Sequence, residues 1–280
     1  MKLNRLIYIL FLTFGIVHFS NAQSKEKIKG NRNVTIKQTY IDDFNALIIK
    51  NNFDVKIAYN SKASVEIETD DNLHDVIDVN VSAGILSITT NKRITSKKKL
   101  IITVNYSNAL EEVELYDNAE LRSLTSMELN DFKLKTENNS RAYLNVKSNS
   151  FSFTSSNKSK SRLNVVADST SFIMSDNSKL DALVSGKISS FDLYQSADAS
   201  IEGDAETATL RFDNSANFTG KNYTIKNADL LIESNSDATL NIITSLKLNA
   251  SGNSETYIYG EPKIDLELFT DTARLQKKKL

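Results

Sequence analysis

Apolar residues recur in pairs along most of this chain, and the two members of each pair are separated by a single residue. Nine such pairs begin between residues 113 and 266, and successive pairs begin 16 to 21 residues apart. The pairs are Val113/Leu115, Phe132/Leu134, Phe151/Phe153, Phe172/Met174, Phe191/Leu193, Leu210/Phe212, Leu230/Ile232, Leu246/Leu248 and Leu266/Leu268. This spacing indicates strands with one buried face, and its recurrence indicates a repeat.

A second apolar stretch follows most of these pairs after a short polar cluster. Two strands in roughly 19 residues, joined by a tight corner, make one coil of a solenoid. Because a coil cannot bury its apolar face alone, coils stack at the strand spacing of about 4.8 Å. The sequence therefore predicts an all-β fold, a parallel β-helix-like solenoid of about nine short coils. A sandwich or a meander of hairpins is the alternative, but the hairpin dipeptides Asn-Gly and Asp-Gly do not occur.

The polar clusters are predicted to be the structural corners of the coils. Asn tolerates left-handed backbone conformations better than other non-glycine residues. Corners that stack one above the other also allow side-chain amides to bond to each other as a ladder. The corner residues predicted on this basis are Asn118, Asn139, Asn157, Asn177, Asn214, Asn235 and Asn253.

Calcium binding is the functional alternative for these clusters, because Asp-rich repeats bind Ca²⁺ in secreted β-rolls. Such repeats need Gly-rich turns with Asp at fixed offsets. Here the cluster acids are Asp117, Asp176, Asp213 and Asp271, and the coils between them lack an equivalent acid. We therefore expect no metal site and no cofactor.

The first 22 residues have the pattern of a secretory signal peptide. Lys2 and Arg5 precede an apolar run over residues 6–19, and cleavage is expected after Ala22. The run is shorter than the ~20 residues of a spanning helix, and no second such run follows. We expect no transmembrane segment in the mature chain, and export to the periplasm or outer surface of a Gram-negative bacterium.

The rest of the chain divides into four predicted segments. Strand-like alternation before residue 110 is less regular than the later repeat, so this region is expected to be a cap or a second sheet body. Within it, a short helical turn is predicted after Asp70 and an exposed basic loop over residues 91–99. The segments are a linker (23–32), an N-terminal β region (33–109), the β-helix repeat (110–275) and a basic tail (276–280).

Composition removes several classes of chemistry. The net charge of −1 favours no nucleic acid partner. The absence of Cys excludes disulfides and thiol catalysis. His74 is the one His outside the signal segment, which argues against His-based triads and metal sites. No catalytic residue is predicted.

Carboxylates and tyrosines are the remaining candidates for chemistry. The densest acids on neighbouring coils are Asp181, Asp198, Glu202 and Asp204, and paired acids could cleave a glycan. Their spacing does not specify such a pair, so a solvated acidic face is expected. The tyrosines that could contact sugars are Tyr143, Tyr194, Tyr223, Tyr257 and Tyr259. The alternating Tyr257 and Tyr259 are expected in the core or a cap instead.

The segment "FNALIIKNNFDVKIAYNSKASVEIETDDNLHDVIDVNVSAGILSITT" from Phe44, followed by the coils "DNAEL", "DNSKL" and "DNSANF", resembles a known family. The chain resembles the putative auto-transporter adhesin head (GIN) domain family over residues 30 to 275. Where that family carries a Ser-Gly-Ser-Gly corner, this chain has Asn, Asp and Ser, with Ser251-Gly252 the nearest equivalent. The resemblance implies a β-helix-like fold in an exported protein and no catalytic or binding residue.

Together these observations predict an exported, non-enzymatic β-solenoid. It is expected to act as a cell-envelope or surface binding module, adhesin-like, with an unknown ligand such as a cell-surface glycan or protein. Two alternatives stay open: a periplasmic structural protein without adhesive role, and a glycan-active β-helix enzyme.

Overall fold

The computed structural model describes residues 25–279, so the predicted signal peptide lies outside the described residues. Before the repeat, the strands are β1 (Lys27–Lys29), β2 (Val34–Tyr40), β3 (Ala46–Ile49), β4 (Asp54–Tyr59), β5 (Ser64–Asp70), β6 (Ile77–Ser82), β7 (Ile85–Thr90), β8 (Arg93–Ser96) and β9 (Leu100–Tyr106). A single 3₁₀ turn, Asp71–Val76, follows β5 where a helical turn was predicted.

The repeat contributes thirteen further strands, of which six are long. They are β10 (Glu112–Leu115), β11 (Glu120–Ser123), β12 (Met127–Glu128), β13 (Asp131–Thr136), β14 (Arg141–Ser155), β15 (Lys160–Met174), β16 (Lys179–Tyr194), β17 (Asp198–Asp213), β18 (Asn217–Ile232), β19 (Asp237–Ala250), β20 (Glu255–Tyr259), β21 (Lys263–Phe269) and β22 (Arg274–Lys277).

These strands form a β-solenoid of about nine turns, which confirms the predicted fold class. Each turn crosses two sheets whose neighbouring strands pair in parallel. The first sheet stacks β9, β4, β11, the first halves of β14 to β19, then β20 and β22. The second stacks β7, β3, β10, β13, the second halves of β14 to β19, and β21.

Each long strand serves both sheets because it bends in the middle. In β15, the buried side chains before the bend at Asp168 include Leu163 and Ala167. After the bend, the buried side chains include Thr170 and Phe172. The inward alternation shifts by one residue at the bend. The same strand therefore buries one face in the first sheet and the opposite face in the second.

In the second sheet, β13 and the second halves of β14 to β19 each have three inward positions, and the sequence pattern detected only two of them. Phe172 pairs in register with Phe153 on one side and with Phe191 on the other, at the middle position. Most of the apolar pairs occupy the middle and last positions. The pairs Phe132/Leu134, Phe151/Phe153 and Leu246/Leu248 occupy the first and middle positions instead.

Aromatic rings fill the centre of the solenoid. The Phe172 and Phe191 rings stack with centroids 4.6 Å apart and an interplanar angle of 3°. Phe191 also meets Phe218 of the first sheet edge-on, with ring centroids 5.2 Å apart. All three side chains are fully buried. The core is thus continuous from coil to coil and from sheet to sheet.

The N-terminal strands join the solenoid out of chain order. Strands β3 and β4 pair directly with β10 and β11, so both ladders cross residue 110 without a break. The later strands β7 and β9 lie outside β3 and β4. Antiparallel β6 then covers the edge of β7, and antiparallel β5 and β2 extend from β9. Parallel stacking therefore ends in antiparallel strands at this end of the molecule.

Two segments that the sequence predicted to be irregular contain β-strands. The basic segment was expected to be a loop, but four of its residues form β8, whose backbone pairs in parallel with β1. That part of the loop prediction is wrong because a short N-terminal strand supplies hydrogen-bond partners. At the other end, β22 continues to Lys277, two residues into the predicted basic tail.

The C-terminal coil is exposed. Every residue of β21 is exposed, and Ile264, Leu266 and Phe269 keep 39%, 50% and 41% of their surface. Leu248, which pairs with Leu266 in the previous coil, is fully buried. Among the described residues, no strand pairs with the outer edge of β21. No helix within residues 25–279 is long and apolar enough to cross a membrane.

Candidate functional site

Each corner between the two sheets of the repeat carries a residue with positive φ, and the corner at Asn214 carries a second one, Ser215. Two of the predicted corner residues, Asn157 and Asn214, have this conformation, with φ of 61° and 59°. The other five predicted corner residues, Asn118, Asn139, Asn177, Asn235 and Asn253, each follow a positive-φ residue directly. In the nine successive corners of the repeat, the first positive-φ residues are Asp117, Asn138, Asn157, Asp176, Gln195, Asn214, Ser234, Gly252 and Asp271.

A ladder of side-chain-to-backbone hydrogen bonds explains the residue types at this position. The backbone N–H of Asn138 donates to Asn157 Oδ1 at 3.1 Å, and the N–H of Asn157 donates to Asp176 Oδ2 at 2.8 Å. The N–H of Asp176 then donates to Gln195 Oε1 at 2.7 Å. A carbonyl or carboxylate oxygen in each coil therefore satisfies the turn N–H of the coil before it. The ladder is interrupted at Asn214, whose side chain bonds to Asp213 instead.

Three of the four cluster acids, Asp117, Asp176 and Asp271, belong to the same ladder. Asp117 Oδ2 accepts from the backbone N–H of Asn51 at 2.8 Å, and Asp271 Oδ2 accepts from that of Gly252 at 2.9 Å. Side-chain amides also bond to one another at the next position, where Asn139 Nδ2 donates to Asn118 Oδ1 at 3.2 Å. These contacts give the repeated polar cluster a structural use at its most regular positions.

A small residue two positions after the positive-φ residue completes the corner. It is buried beneath the turn in eight of the nine corners, and a larger side chain would displace the turn above it. The residues at this position are Ala119, Ser140, Ser159, Ser178, Ala197, Ala216, Ser236, Ser254 and the partly exposed Ala273. This spacing is the sequence signal that locates the positive-φ position, and the corner prediction did not use it.

The outward surface of the first sheet is the best candidate for a binding site, and we call it the first-sheet face. Two neighbouring columns of side chains run along it from coil to coil. One column is Glu120, Arg141, Lys160, Lys179 and Asp198, and the other is Arg122, Tyr143, Arg162, Asp181 and Ser200. Two open clefts of about 650 Å³ and 550 Å³ lie on this face.

Charge pairs and one cation–π contact organise the face. The guanidinium carbon of Arg122 lies 3.9 Å from the centroid of the Tyr143 ring. Its Nη2 atom is 2.6 Å from Glu120 Oε1. Arg162 lies 3.8 Å from the exposed carboxylate of Asp181. Both side chains of the Arg162–Asp181 pair are exposed, and an exposed ion pair contributes at most about 1 kcal/mol, so these two side chains are free to exchange partners.

The five candidate tyrosines separate into three environments. Tyr223 is fully buried, and its hydroxyl donates to Ser189 Oγ at 2.8 Å. Burial raises the pKa of Tyr223 to about 12. Tyr257 and Tyr259 are half-buried on the first sheet rather than in the core, because their positions alternate with the buried Thr256 and Ile258.

The remaining two tyrosines differ in exposure: Tyr194 is exposed at a corner, and Tyr143 is half-buried like Tyr257 and Tyr259. Tyr143 lies on the first-sheet face between Arg122 and Arg162, with which it pairs in register. Tyr143 therefore lies among the basic side chains of the first-sheet face, and Tyr257 stands further along the same column of side chains.

Of the four candidate acids, Asp181 and Glu202 line the cleft of about 650 Å³, whereas Asp198 and Asp204 lie outside it. Asp181 and Asp198 are spread over adjacent coils and lie near Arg162 and Lys179, respectively. Asp204 accepts a hydrogen bond from Ser185 Oγ at 3.0 Å, and Glu202 is exposed. Within residues 25–279, no three His, Cys, Asp or Glu side chains come together as a metal site requires.

His74 lies in the 3₁₀ turn at the N-terminal end of the molecule, outside the two columns of side chains on the first-sheet face. Its Nε2 atom lies 3.0 Å from Thr35 Oγ1, a contact between the 3₁₀ turn and β2. A cleft of about 860 Å³ at the same end is lined by Lys25, Lys27, Lys92, Arg93 and Lys97 among others. Lys25 donates to the carbonyl oxygen of Thr90 and Lys92 pairs with Glu26, so part of this charge is already engaged.

Comparison with known proteins identifies the family. The model of the family described as "Putative auto-transporter adhesin, head GIN domain" matches residues 43–262. Among solved structures, the chain is similar to a putative adhesin from Parabacteroides merdae ATCC 43184, with 19% identity, a TM-score of 0.63, and coverage of 90% of this chain and 99% of that one.

Two further solved structures from Parabacteroides distasonis ATCC 8503 share the fold. One is a putative adhesin with 17% identity and a TM-score of 0.68. The other is a putative lipid binding protein with 15% identity and a TM-score of 0.59. Each covers 90% of this chain and is itself covered completely. No curated protein matches the chain.

Proposed function

Since the chain belongs to the family of putative auto-transporter adhesin head (GIN) domains, we propose that it is an exported, non-enzymatic binding module of the cell envelope. The observation that carries this proposal is the first-sheet face. Side chains from at least five consecutive coils stand in register there, and a long regular surface suits an extended ligand.

The arrangement of acids supports a binding role over catalysis. Glycoside hydrolysis needs two carboxylates held on either side of one bond, with one of them in a protonated state. On this solenoid the candidate acids are spread over adjacent coils, and Asp181 and Asp198 each face a basic side chain. A reducing-sugar assay across common polysaccharides tests this point. Sustained turnover that Asp198→Ala or Asp204→Ala abolishes would refute the non-enzymatic proposal.

The location of the module is tested by protease treatment of intact cells, with lysed cells as the control. Cleavage on intact cells is expected if the protein is on the outer surface, and it would support an adhesive role. Protection on intact cells with cleavage after lysis would place the protein in the periplasm. That result would favour the alternative of a periplasmic structural protein.

A further inference from the structure

Positive charge is concentrated on one part of the first-sheet face. The chain carries 34 basic and 35 acidic residues, so its net charge of −1 predicts no such concentration. Six basic side chains nevertheless project from consecutive coils, on β11, β14, β15 and β16 and the corner before β15. We call them the basic patch: Arg122, Arg141, Lys158, Lys160, Arg162 and Lys179.

The basic patch includes a row of like charges in direct register. Arg141 pairs with Lys160, and Lys160 pairs with Lys179, in neighbouring coils. Such positions are about 4.8 Å apart, and like charges directly opposite each other destabilise a sheet. A row that costs stability in the free protein gains interaction energy when an anion binds across it.

Carboxylates within the protein neutralise this row only in part. Arg141 lies 3.8 Å from Glu120, which also pairs with Arg122, and Lys179 lies 3.4 Å from Asp198. Within residues 25–279, Lys158 and Lys160 have no carboxylate within ion-pair distance, and both are exposed. At least these two ammonium groups are free for an external anion.

The surroundings of the basic patch suit sugar rings. Tyr143 lies at its centre, with an amphipathic ring of the kind that packs on carbohydrate. The amides of Asn145 and Asn164, in register on β14 and β15, supply hydrogen-bond donors and acceptors along the same cleft. The patch holds one aromatic ring, which is too few for the row of base-stacking platforms that single-stranded nucleic acid requires.

Acidic residues lie within the patch and also limit its length: Glu120 and Asp181 pair with Arg122 and Arg162 inside it. Asp198 and Glu202 border it on the C-terminal side, and Asp54 borders it on the N-terminal side through its pairing with Glu120. Between these limits the patch spans about four coils, which is on the order of 15–20 Å along the solenoid axis. The bound segment therefore has a length of a few sugar units.

We propose that the basic patch binds an acidic polysaccharide, whose carboxylate or sulfate groups meet Lys158, Lys160 and Arg141 while a sugar ring lies beside Tyr143. This inference rests on the proposed binding function and specifies its ligand class. Because exposed charges supply the attraction, binding weakens as salt screens them.

The test measures binding of the immobilised protein to polygalacturonate, dextran sulfate, neutral dextran and a DNA oligonucleotide, at low and at physiological salt. The test variant is Lys158→Gln/Lys160→Gln. The matched control is Lys133→Gln/Lys263→Gln, which removes the same charge from exposed positions on the second sheet. All four residues are exposed, so both variants are expected to fold.

Binding of one or both acidic polysaccharides, with no binding of dextran, is the expected result. The test variant should bind roughly tenfold more weakly, because two exposed ion pairs of up to about 1 kcal/mol each are lost. The control should stay within about twofold of wild type. Carboxylated and sulfated chains are distinguished by which of the two polymers binds.

Three outcomes overturn the inference. They are an equal loss of binding in the test and control variants, DNA binding as tight as that of the polysaccharides, and no binding of either acidic polymer. If the protein then binds neutral glycans on an array, the binding function stands without this ligand class. If it binds none of the glycans, the proposed function loses its glycan ligands and only a protein ligand is left for it.

Discussion

Replacing Asn157 by Val isolates the two roles assigned to the positive-φ corner residue. Asn157 has φ of 61°, and its side chain accepts a hydrogen bond from the backbone N–H of Asn138. A β-branched residue at such φ costs about 1–2 kcal/mol. Loss of the hydrogen bond adds about 0.5–1.5 kcal/mol. We expect Asn157→Val to lower the free energy of unfolding by about 2–3 kcal/mol.

Asn177 supplies the matched control. It lies in the next corner, is equally exposed, and does not have positive φ. Asn177→Val should change stability by no more than about 0.5 kcal/mol. Asn157→Gly separates the two terms, because Gly accepts positive φ but provides no acceptor. It should cost about 1 kcal/mol.

Urea denaturation followed by circular dichroism measures these differences. For a chain of this size, the Asn157→Val loss corresponds to a fall in Tm of roughly 5–10 °C. Equal costs for Val at positions 157 and 177 would refute the assignment of the corner. A Gly variant as unstable as the Val variant would refute the strain contribution and leave only the hydrogen bond.

Burial along one inward column and the ionisation of buried tyrosines give two further predictions. Leu248→Ala should lower the free energy of unfolding by about 2–5 kcal/mol, because Leu248 is fully buried. Leu266 pairs with Leu248 in register but is half exposed, so Leu266→Ala should lower it by about 0.5 kcal/mol or less. Similar urea midpoints for the two variants would contradict the exposure of the C-terminal coil. Burial raises the pKa of Tyr106 and of Tyr223 to about 12, against about 10 when unfolded. The unfolded chain thus loses these protons first, and the free energy of unfolding should fall as pH rises from about 10 to 12. The Tyr106→Phe/Tyr223→Phe variant should flatten that slope and Tyr194→Phe should not; an unchanged slope in the double variant would refute the assignment.

The repeat could be predicted from sequence because every coil buries the same face. An apolar pair at Phe172 or Phe191 has only one way to be buried when strands recur every 19 residues. The three-position width of the second sheet was harder to detect, because Thr170 and Ser189 fill the first inward position with polar groups that bond to each other. When a polar side chain is buried because it bonds to a side chain of the next coil, the sequence of its own coil shows no apolar residue at that position.

The order of the N-terminal strands could not be predicted from local pattern. Strand β3 is separated from its partner β10 by the strands that close the end of the solenoid. Alternation shows that a segment is a strand, but it does not show which of several edges the strand joins. That choice depends on burial over the whole molecule.

The basic patch was also missed in the sequence, although a signal for it exists. Arg141, Lys160 and Lys179 are separated by 19 residues each, the same interval that relates their coils. In the linear sequence they are unremarkable among 34 basic residues. Only when the chain is folded at the repeat length do they become neighbours.

The constant register of the central coils also determines how such a chain can change in length. Corner residues 138, 157, 176 and 195 follow one another at intervals of 19, and the same hydrogen bond recurs at each step. Tandem duplication of one such unit would insert a coil whose ladders match on both sides. An insert of another size would have to protrude from the solenoid as a loop at a corner. A gain or loss of one whole coil therefore preserves the register of its neighbours and alters the length of the solenoid by about 4.8 Å.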